Sequence, residues 1–217
     1  MKPIEWTVEH AKGTRRRSYE VSSRPGEVII RSPDAGDLLF SATAGCGDET
    51  ELFLGLVAAF SASEGIRKDT GVISWVRWPN SVAIEGKTVA TTSARVTRGK
   101  GSACVVLDFA VNVSRPPGEG FTSLLEAVGV EVDRWILLDK ILESLTWMHA
   151  GWINGMHAQV LRRVKSMTET LGSGISVLKD GERVAGVATD IDAEGRLVVR
   201  AERASITLGD AKGVRGL

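Results

Sequence analysis

Apolar side chains alternate without a break from residue 105 to residue 113: Val105, Leu107, Phe109, Val111 and Val113, with Cys104, Val106, Asp108, Ala110 and Asn112 interleaved. A period of two places the two sets on opposite faces of a strand. Residues 72–78 and 88–96 read as further strands, separated by a connection over 80–87 in which Glu85-Gly86 supplies a turn. Residues 52–63 are apolar on most sides and follow Asp48-Glu-Thr-Glu51, a capping sequence with Asp in the Ser/Thr place. The pattern predicts a helix there, ending at Gly65 and packed on both faces. Asp133 is the candidate cap of another helix, in which Leu137, Ile141, Leu145 and Met148 recur at helical spacing. Trp147 and Trp152 are expected to pack in that helical layer. Past Gly172 the pattern changes to short strands over 175–178, 183–188, 197–200 and 205–208, with Asp180-Gly181 and Glu194-Gly195 as hairpin turns. The expected organisation is a main domain over 1–171 and a small β module over 172–217, within the SH3-like size range.

Composition narrows the function classes. With 217 residues, 43% of them hydrophobic, the chain can bury a full core. Lys plus Arg and Asp plus Glu balance at 27 each, so no global basic field exists to hold nucleic acid. Arg15-Arg16-Arg17 is the one dense charge run, and it lacks a recognition helix and interleaved aromatics, so no nucleic-acid partner is expected. Cys46 and Cys104 are isolated from each other and from His10, His149 and His157 by spacings unlike a metal site or a disulfide framework. The first residues lack the apolar core of a signal peptide, and no window approaches the ~18 apolar residues of a membrane span. A cytoplasmic location away from membranes is the expectation.

Three segments carry a more specific pattern. Arg77-Trp-Pro-Asn-Ser81 is followed by Gly86-Lys-Thr-Val-Ala90; Val111-Asn-Val-Ser114 closes the alternating strand and precedes Thr122-Ser-Leu124; and the last module contains Gly186-Val-Ala-Thr-Asp-Ile-Asp-Ala-Glu-Gly-Arg-Leu-Val-Val199. In order and spacing these resemble the short-form biotin–protein ligases, which lack a DNA-binding domain. The family reads Lys-Trp-Pro-Asn-Asp, Gly-Ile-Gly-Ile-Asn-Val-Asn and Gly-x-Ala-x-x-Ile-Asp-x-x-Gly-x-Leu-x-Val at these places. Ser32-Pro33 falls on the Ser-Pro before the family's second strand, so the likeness spans nearly the whole chain. The resemblance implies an α+β fold: a mixed central β-sheet with packed helices, of the class II synthetase-like kind, plus a small C-terminal SH3-like β-barrel.

It also implies a chemistry. In such ligases the biotin carboxylate attacks ATP to give biotinyl-adenylate, and the acyl group passes to a lysine of a carrier domain. An active chain would therefore use ATP and biotin and meet a biotin carboxyl carrier protein. Pairing of two copies through the sheet is a further expectation. Ligand contacts map onto Arg77, Trp78, Asn80, Ser81, Thr88, Asp108, Ala110 and Asn112, with no metal, and the nearest candidate catalytic lysine is Lys87.

The sequence departs from the family where two anions must be brought together, a step that needs cationic groups. The biotin-binding Ser-Thr-Asn falls at Trp6-Thr7-Val8. The Gly-Arg-Gly-Arg-x-Gly-Arg-x-Trp loop falls either at Ser22-Ser-Arg-Pro-Gly-Glu-Val-Ile-Ile30, which keeps only Arg24 and Gly26, or at Gly13-Thr-Arg-Arg-Arg-Ser-Tyr19 after a long insertion. The catalytic lysine position is Thr88, and neighbouring Lys87 could serve only if a bulge or a one-residue slip re-aimed it. Two glycines that leave room for biotin are Asp108 and Ala110 here. Asp108 either fills the pocket, binds something cationic, or turns to water through a slip of the strand. Two readings follow: a binding or scaffold homologue that has lost or weakened the reaction, and a ligase that still adenylates biotin or a related carboxylate.

Overall fold

The computed structural model describes residues 4–10, 25–31, 36–99, 102–179, 182–202, 205–210 and 215–216. Strands β1 (Thr7–His10), β2 (Glu27–Ile30), β3 (Leu38–Cys46), β4 (Trp75–Arg77), β5 (Ser81–Ile84), β6 (Lys87–Gly99) and β7 (Ser102–Val111) form one sheet in the order β1-β2-β3-β7-β6-β5-β4. The β1–β2 pair is parallel and the other pairs are antiparallel, so the sheet is mixed. Helix α1 (Glu51–Thr70) follows β3, and α2 (Leu124–Val128), α3 (Arg134–Ile153) and α4 (His157–Ser166) follow β7.

The alternation in β7 holds along its whole length. Val105, Leu107 and Val111 are fully buried, and Phe109 stacks on Phe40 of β3 with ring centroids 4.4 Å apart. With Val28, Ile30, Ala42 and Ala44 these side chains form the face covered by α1 and α3. The interleaved set, with Asp108, Ala110 and Asn112, lies on the other face.

Helix α1 is longer than the sequence pattern indicates. Its cap is Thr50 rather than Asp48, the Thr50 hydroxyl accepting from the Phe53 amide at 3.1 Å, and it ends at Gly71. Gly65 therefore lies inside the helix. A Cβ there would sit 2.6 Å from Ile141 Cγ1 and 2.9 Å from the Ile141 backbone nitrogen, so the glycine is where α3 comes closest rather than a stop. Asp133 does cap α3, accepting from the Trp135 amide at 2.8 Å, and Leu137, Ile141, Leu145 and Met148 are buried on its inner stripe. Trp152 packs in this layer as expected. Trp147 does not: it falls off the stripe and is 70% exposed.

Strands β8 (Gly174–Lys179), β9 (Glu182–Ile191), β10 (Leu197–Ala201), β11 (Ser205–Leu208) and β12 (Arg215–Gly216) make a second, antiparallel sheet in the order β11-β10-β9-β8-β12. The expected SH3-like β-barrel is not formed. Among the described residues the edge strands β11 and β12 do not pair with each other, and the sheet stays open. Closure is unnecessary because the apolar face already has a cover: Ile175, Ala188, Ile191, Leu197, Val199 and Ile206 are buried in the same continuous core as the helices and the first sheet. The Asp180-Gly181 turn lies outside the described residues, whereas the Glu194-Gly195 turn is present with Gly195 at φ 83°.

That turn fastens the second sheet to the first. Trp78 Nε1 donates to the Gly195 carbonyl at 2.9 Å and Thr50 Oγ1 to the Glu194 carbonyl at 2.7 Å. A Cβ on Gly195 would lie 2.8 Å from the Phe53 amide nitrogen, so backbone meets backbone at the start of α1. Lys165 of α4 and Asp190 of β9 add an ion pair at 2.6 Å. Among the described residues no helix is long and apolar enough to cross a membrane.

Gly65→Ala should lower stability by about 1–3 kcal/mol, because the added methyl meets backbone that can yield only by separating two helices. Chemical denaturation at equilibrium reads this directly, and an unchanged midpoint would mean that α1 and α3 are not in such close contact.

Candidate functional site

On the face of the first sheet away from the helices, the strand registers bring polar side chains into rows. β3 Ser41, β7 Asp108 and β6 Ser93 are directly opposite one another, and β2 Ile29 continues that row. Thr43, Val106 and Arg95 form the row on one side of it, and Leu39, Ala110 and Thr91 the row on the other.

Asp108 is the centre of this face. Its Oδ1 accepts from Arg31, just beyond β2, and from Ser41 Oγ at 2.8 Å. Its Oδ2 accepts from Arg95 at 3.2 Å and lies 3.4 Å from Ser93 Oγ. Both oxygens are thus held by groups of the chain itself, drawn from three other strands or their ends, β2, β3 and β6. The Asp108 side chain is 20% exposed and points neither freely to water nor into an apolar cavity. The charge that the sequence leaves unexplained is paired.

A bulge decides how β6 presents Thr88 and Lys87. Val82 pairs with Ala90 but Ala83 pairs with Thr88, so Val89 is the extra residue. Ser81 opposes Thr91, and Ala83, two residues on, opposes Thr88, which puts Thr88 on the same face as Thr91 and Asp108. Lys87 opposes Ile84 instead, on the side of Val82 and the helices, and is solvent-exposed at the hairpin end. Thr88 is also tied by its backbone to the segment after β7, donating to Gly120 and accepting from Thr122, both at 2.9 Å. Asn112 joins this cluster: its amide donates to the Val89 carbonyl at 2.9 Å and its Nδ2 to the Thr122 carbonyl at 3.1 Å.

The Trp-Pro-Asn segment lies further out, at β4 and β5. Arg77 is neutralised by Glu169 at 2.7 Å and also donates to the Gly86 carbonyl at 3.1 Å. Trp78 is 5% exposed and fixes the inter-sheet turn. Asn80 Nδ2 donates to the Thr92 carbonyl at 2.7 Å, and Ser81 Oγ lies 3.4 Å from the Arg77 carbonyl. The geometry therefore gathers Thr88, Asp108, Ala110 and Asn112 on one face, and commits Arg77, Trp78, Asn80 and Ser81 to contacts within the fold. Residues 13–19 with Arg15-Arg16-Arg17, Arg24, and Ser32-Pro33 lie outside the described residues. The partners of Asp108 were not singled out in the sequence, although Leu38, Phe40, Ala42 and Ala44 alternate in β3 as clearly as β7 does and would have set Ser41 on its face.

A concavity of about 420 Å3 lies where the start of α1, the α3–α4 turn and the β9–β10 turn meet. Glu49, Phe53, Trp152, His157 and Glu194 line it. The Glu49 side chain is only 6% exposed and pairs with His157 Nε2 at 2.7 Å, while the Gly47 amide donates to it at 2.5 Å. Burial pushes the Glu49 carboxyl up, but these hydrogen bonds outweigh it and hold the group below its ordinary pKa. Nearby His149 is pushed down by burial, which the Gly45 carbonyl only partly offsets. The Cys46 thiol is raised to about 11, chiefly by burial and then by Glu49, so it stays protonated and unreactive near neutral pH. Among the described residues no group of three or more His, Cys, Asp or Glu is arranged to hold a metal ion.

No family model matches the chain. It is 32% identical over 126 residues to the biotin–[acetyl-CoA-carboxylase] ligase of Mycobacterium tuberculosis, covering 56% of this chain and 46% of that protein. It is 24% identical over 154 residues to the bifunctional ligase/repressor of Bacillus subtilis, covering 67% and 47%. The chain thus spans about half the length of the curated relatives it matches. Among solved structures, the biotin protein ligase of Aquifex aeolicus in complex with biotin and ATP aligns over all of both chains, with a TM-score of 0.77 and 20% identity. A biotin protein ligase-like protein of unknown function from a Silicibacter species aligns over 94% of each chain, with a TM-score of 0.69 and 16% identity.

Two measurements check this geometry. Asp108→Ala should cost about 1–3 kcal/mol of stability by unpairing the hydrogen-bonding groups around it. The lower end is expected, because Arg95 is 48% exposed and water replaces part of its interaction. Glu49 has a lowered folded pKa, so its contribution is present above its unfolded value near 4.5 and is lost as pH falls through the lower folded value. Glu49→Gln should therefore flatten the acid limb of the stability-versus-pH curve below about pH 4.5, and an acid limb identical to the parent's would exclude the Glu49–His157 contact as a source of stability.

Proposed function

We propose that this chain, which belongs to the biotin–protein ligase family as a divergent member, is a ligand-binding homologue in which adenylation of biotin has been lost or reduced to a trace. The observation that carries this reading is the paired Asp108 carboxylate. It stands at the β7 position where the family resemblance places a glycine beside biotin, and its two oxygens are held by Arg31, Ser41 and Arg95, with Ser93 adjacent. Biotin entering there would have to displace a hydrogen-bonded charge or lay its apolar sulfur-containing ring and alkyl chain over polar groups, either of which costs free energy.

Thr88 supports the same reading. It occupies the place of the catalytic lysine, and the β6 bulge turns it, rather than Lys87, toward Asp108 and Asn112. A hydroxyl there offers no charge to offset the approach of a carboxylate to a triphosphate. Among the described residues, the arginines beside the site, Arg31 and Arg95, are engaged with Asp108. A carrier-domain partner belongs to the alternative reading, an active ligase, since a chain that forms no acyl-adenylate has nothing to transfer.

The test is biotin-dependent exchange of pyrophosphate into ATP, run beside calorimetric titration with biotin, ATP and both together. The expected result is no exchange and no heat with biotin. Asp108→Gly combined with Ala110→Gly should then raise biotin affinity, by about tenfold or more if removing the carboxylate recovers at least 1.4 kcal/mol. Tight biotin binding strengthened by ATP in the unaltered chain would establish the ligase reading instead.

A further inference from the structure

The face that carries Asp108 holds a second carboxylate in a different situation. Glu27 opens β2, and the pairing of Val28 with Ala42 and Ile29 with Ser41 continues to set Glu27 across from Thr43. On its other side Glu27 pairs with Thr7 of β1. Thr7, Glu27, Thr43, Val106 and Arg95 therefore form one row across the sheet, next to the row of Asp108. Thr43 and Val106 are 3% and 4% exposed, so this part of the face is shut off from bulk water. Glu27 Oε2 is itself shielded from solvent and has no hydrogen-bond partner among the described residues.

Neither arginine that serves Asp108 reaches Glu27. Two strand spacings and a two-residue offset separate the backbone positions of Glu27 and Asp108 by about 12 Å, and both Arg31 and Arg95 are drawn to Asp108. A carboxylate oxygen can only accept, and a buried acceptor without a donor is a defect that native structures avoid unless something supplies the donor. We infer that this sheet face receives a protonated primary amine, with Glu27 as its counter-charge. This rests on the reading that the face binds a small molecule. An ammonium, a compact point charge that can give a single hydrogen bond to the shielded Oε2, suits the site better than the broad planar fork of a guanidinium. An ammonium also answers the local charge of Glu27, whereas the free carboxylate of biotin placed beside it would be repelled.

The experiment is calorimetric titration of the full chain at low ionic strength with 5-aminovalerate, pentylamine and valerate, which separate the amine from the carboxylate. The two amines are expected to bind and valerate is not. Glu27→Gln should weaken amine binding by about tenfold or more, the loss of one charge-assisted hydrogen bond, while circular dichroism shows the fold kept. Should that variant not fold, amide chemical shifts of the unaltered chain under pentylamine decide the matter. Perturbation centred on Thr7, Glu27 and Thr43 supports the inference, and shifts confined elsewhere overturn it. Equal binding of valerate, no binding of either amine, or an unchanged affinity in Glu27→Gln would each overturn it too. Pyrophosphate exchange separates the two ideas: a chain that exchanges with biotin and also binds amines at Glu27 refutes the loss of adenylation while leaving the amine site in place.

Discussion

The strict two-sidedness of β7 is the constraint to which the rest of the molecule answers. The strand is hydrogen-bonded on both flanks, to β3 and β6, and its two sets of side chains need opposite surroundings. A slip of one residue would drive Asp108 among Phe40 and the helices and turn Leu107 and Phe109 outward, at a cost that no loop could recover. With the register fixed, α1 and α3 have one side on which to pack. The polar rows of the other side follow from the same decision, because Ser41, Ser93 and Arg95 are where β3 and β6 must place residues opposite Asp108 and Val106.

The second sheet depends on a different kind of contact. Its apolar face joins the core of the first unit, and its β9–β10 turn sits on the backbone at the start of α1. A closed barrel would bury those side chains within itself and leave little to share. An open sheet gives up that self-sufficiency and gains a common core, with β11 and β12 left as edges. Both edges are short, four and two residues, which limits their capacity to recruit foreign strands.

Much of this was legible in the residues. The alternation of Val105 to Val113 identified the strand on which the site is built, and Asp133 with the Leu137–Ile141–Leu145–Met148 stripe located α3. The family resemblance supplied the α+β architecture. Gly65 misled because a glycine in an apolar run reads equally as a helix stop or as a close helix crossing, and only the position of Ile141 separates the two. Trp147 misled because a tryptophan near a buried stripe is not thereby on it. Barrel closure was not legible, since the pattern of short strands is the same whether the last strand meets the first or stops short. Asp108 was recognised as anomalous, but its partners come from β2, β3 and β6, so pairing became visible only once four strands were in register. The direction of the β6 bulge is likewise a property of pairing with β5, not of the text around Lys87.

The lock between the sheets has a temporal side. Thr50 and Glu194 are 144 residues apart in sequence, yet the hydrogen bond between them and the one from Trp78 to Gly195 complete the start of α1. During synthesis, α1 and the seven-stranded sheet are made well before the turn that covers Phe53 and Trp78. Until residues 192–195 leave the ribosome, an apolar helix start and a buried indole have no cover, and the nascent chain carries an adhesive surface. Such a molecule is vulnerable to aggregation in the interval between the synthesis of α1 and that of the β9–β10 turn, and the fidelity of its folding depends on a segment made long after the helix it covers.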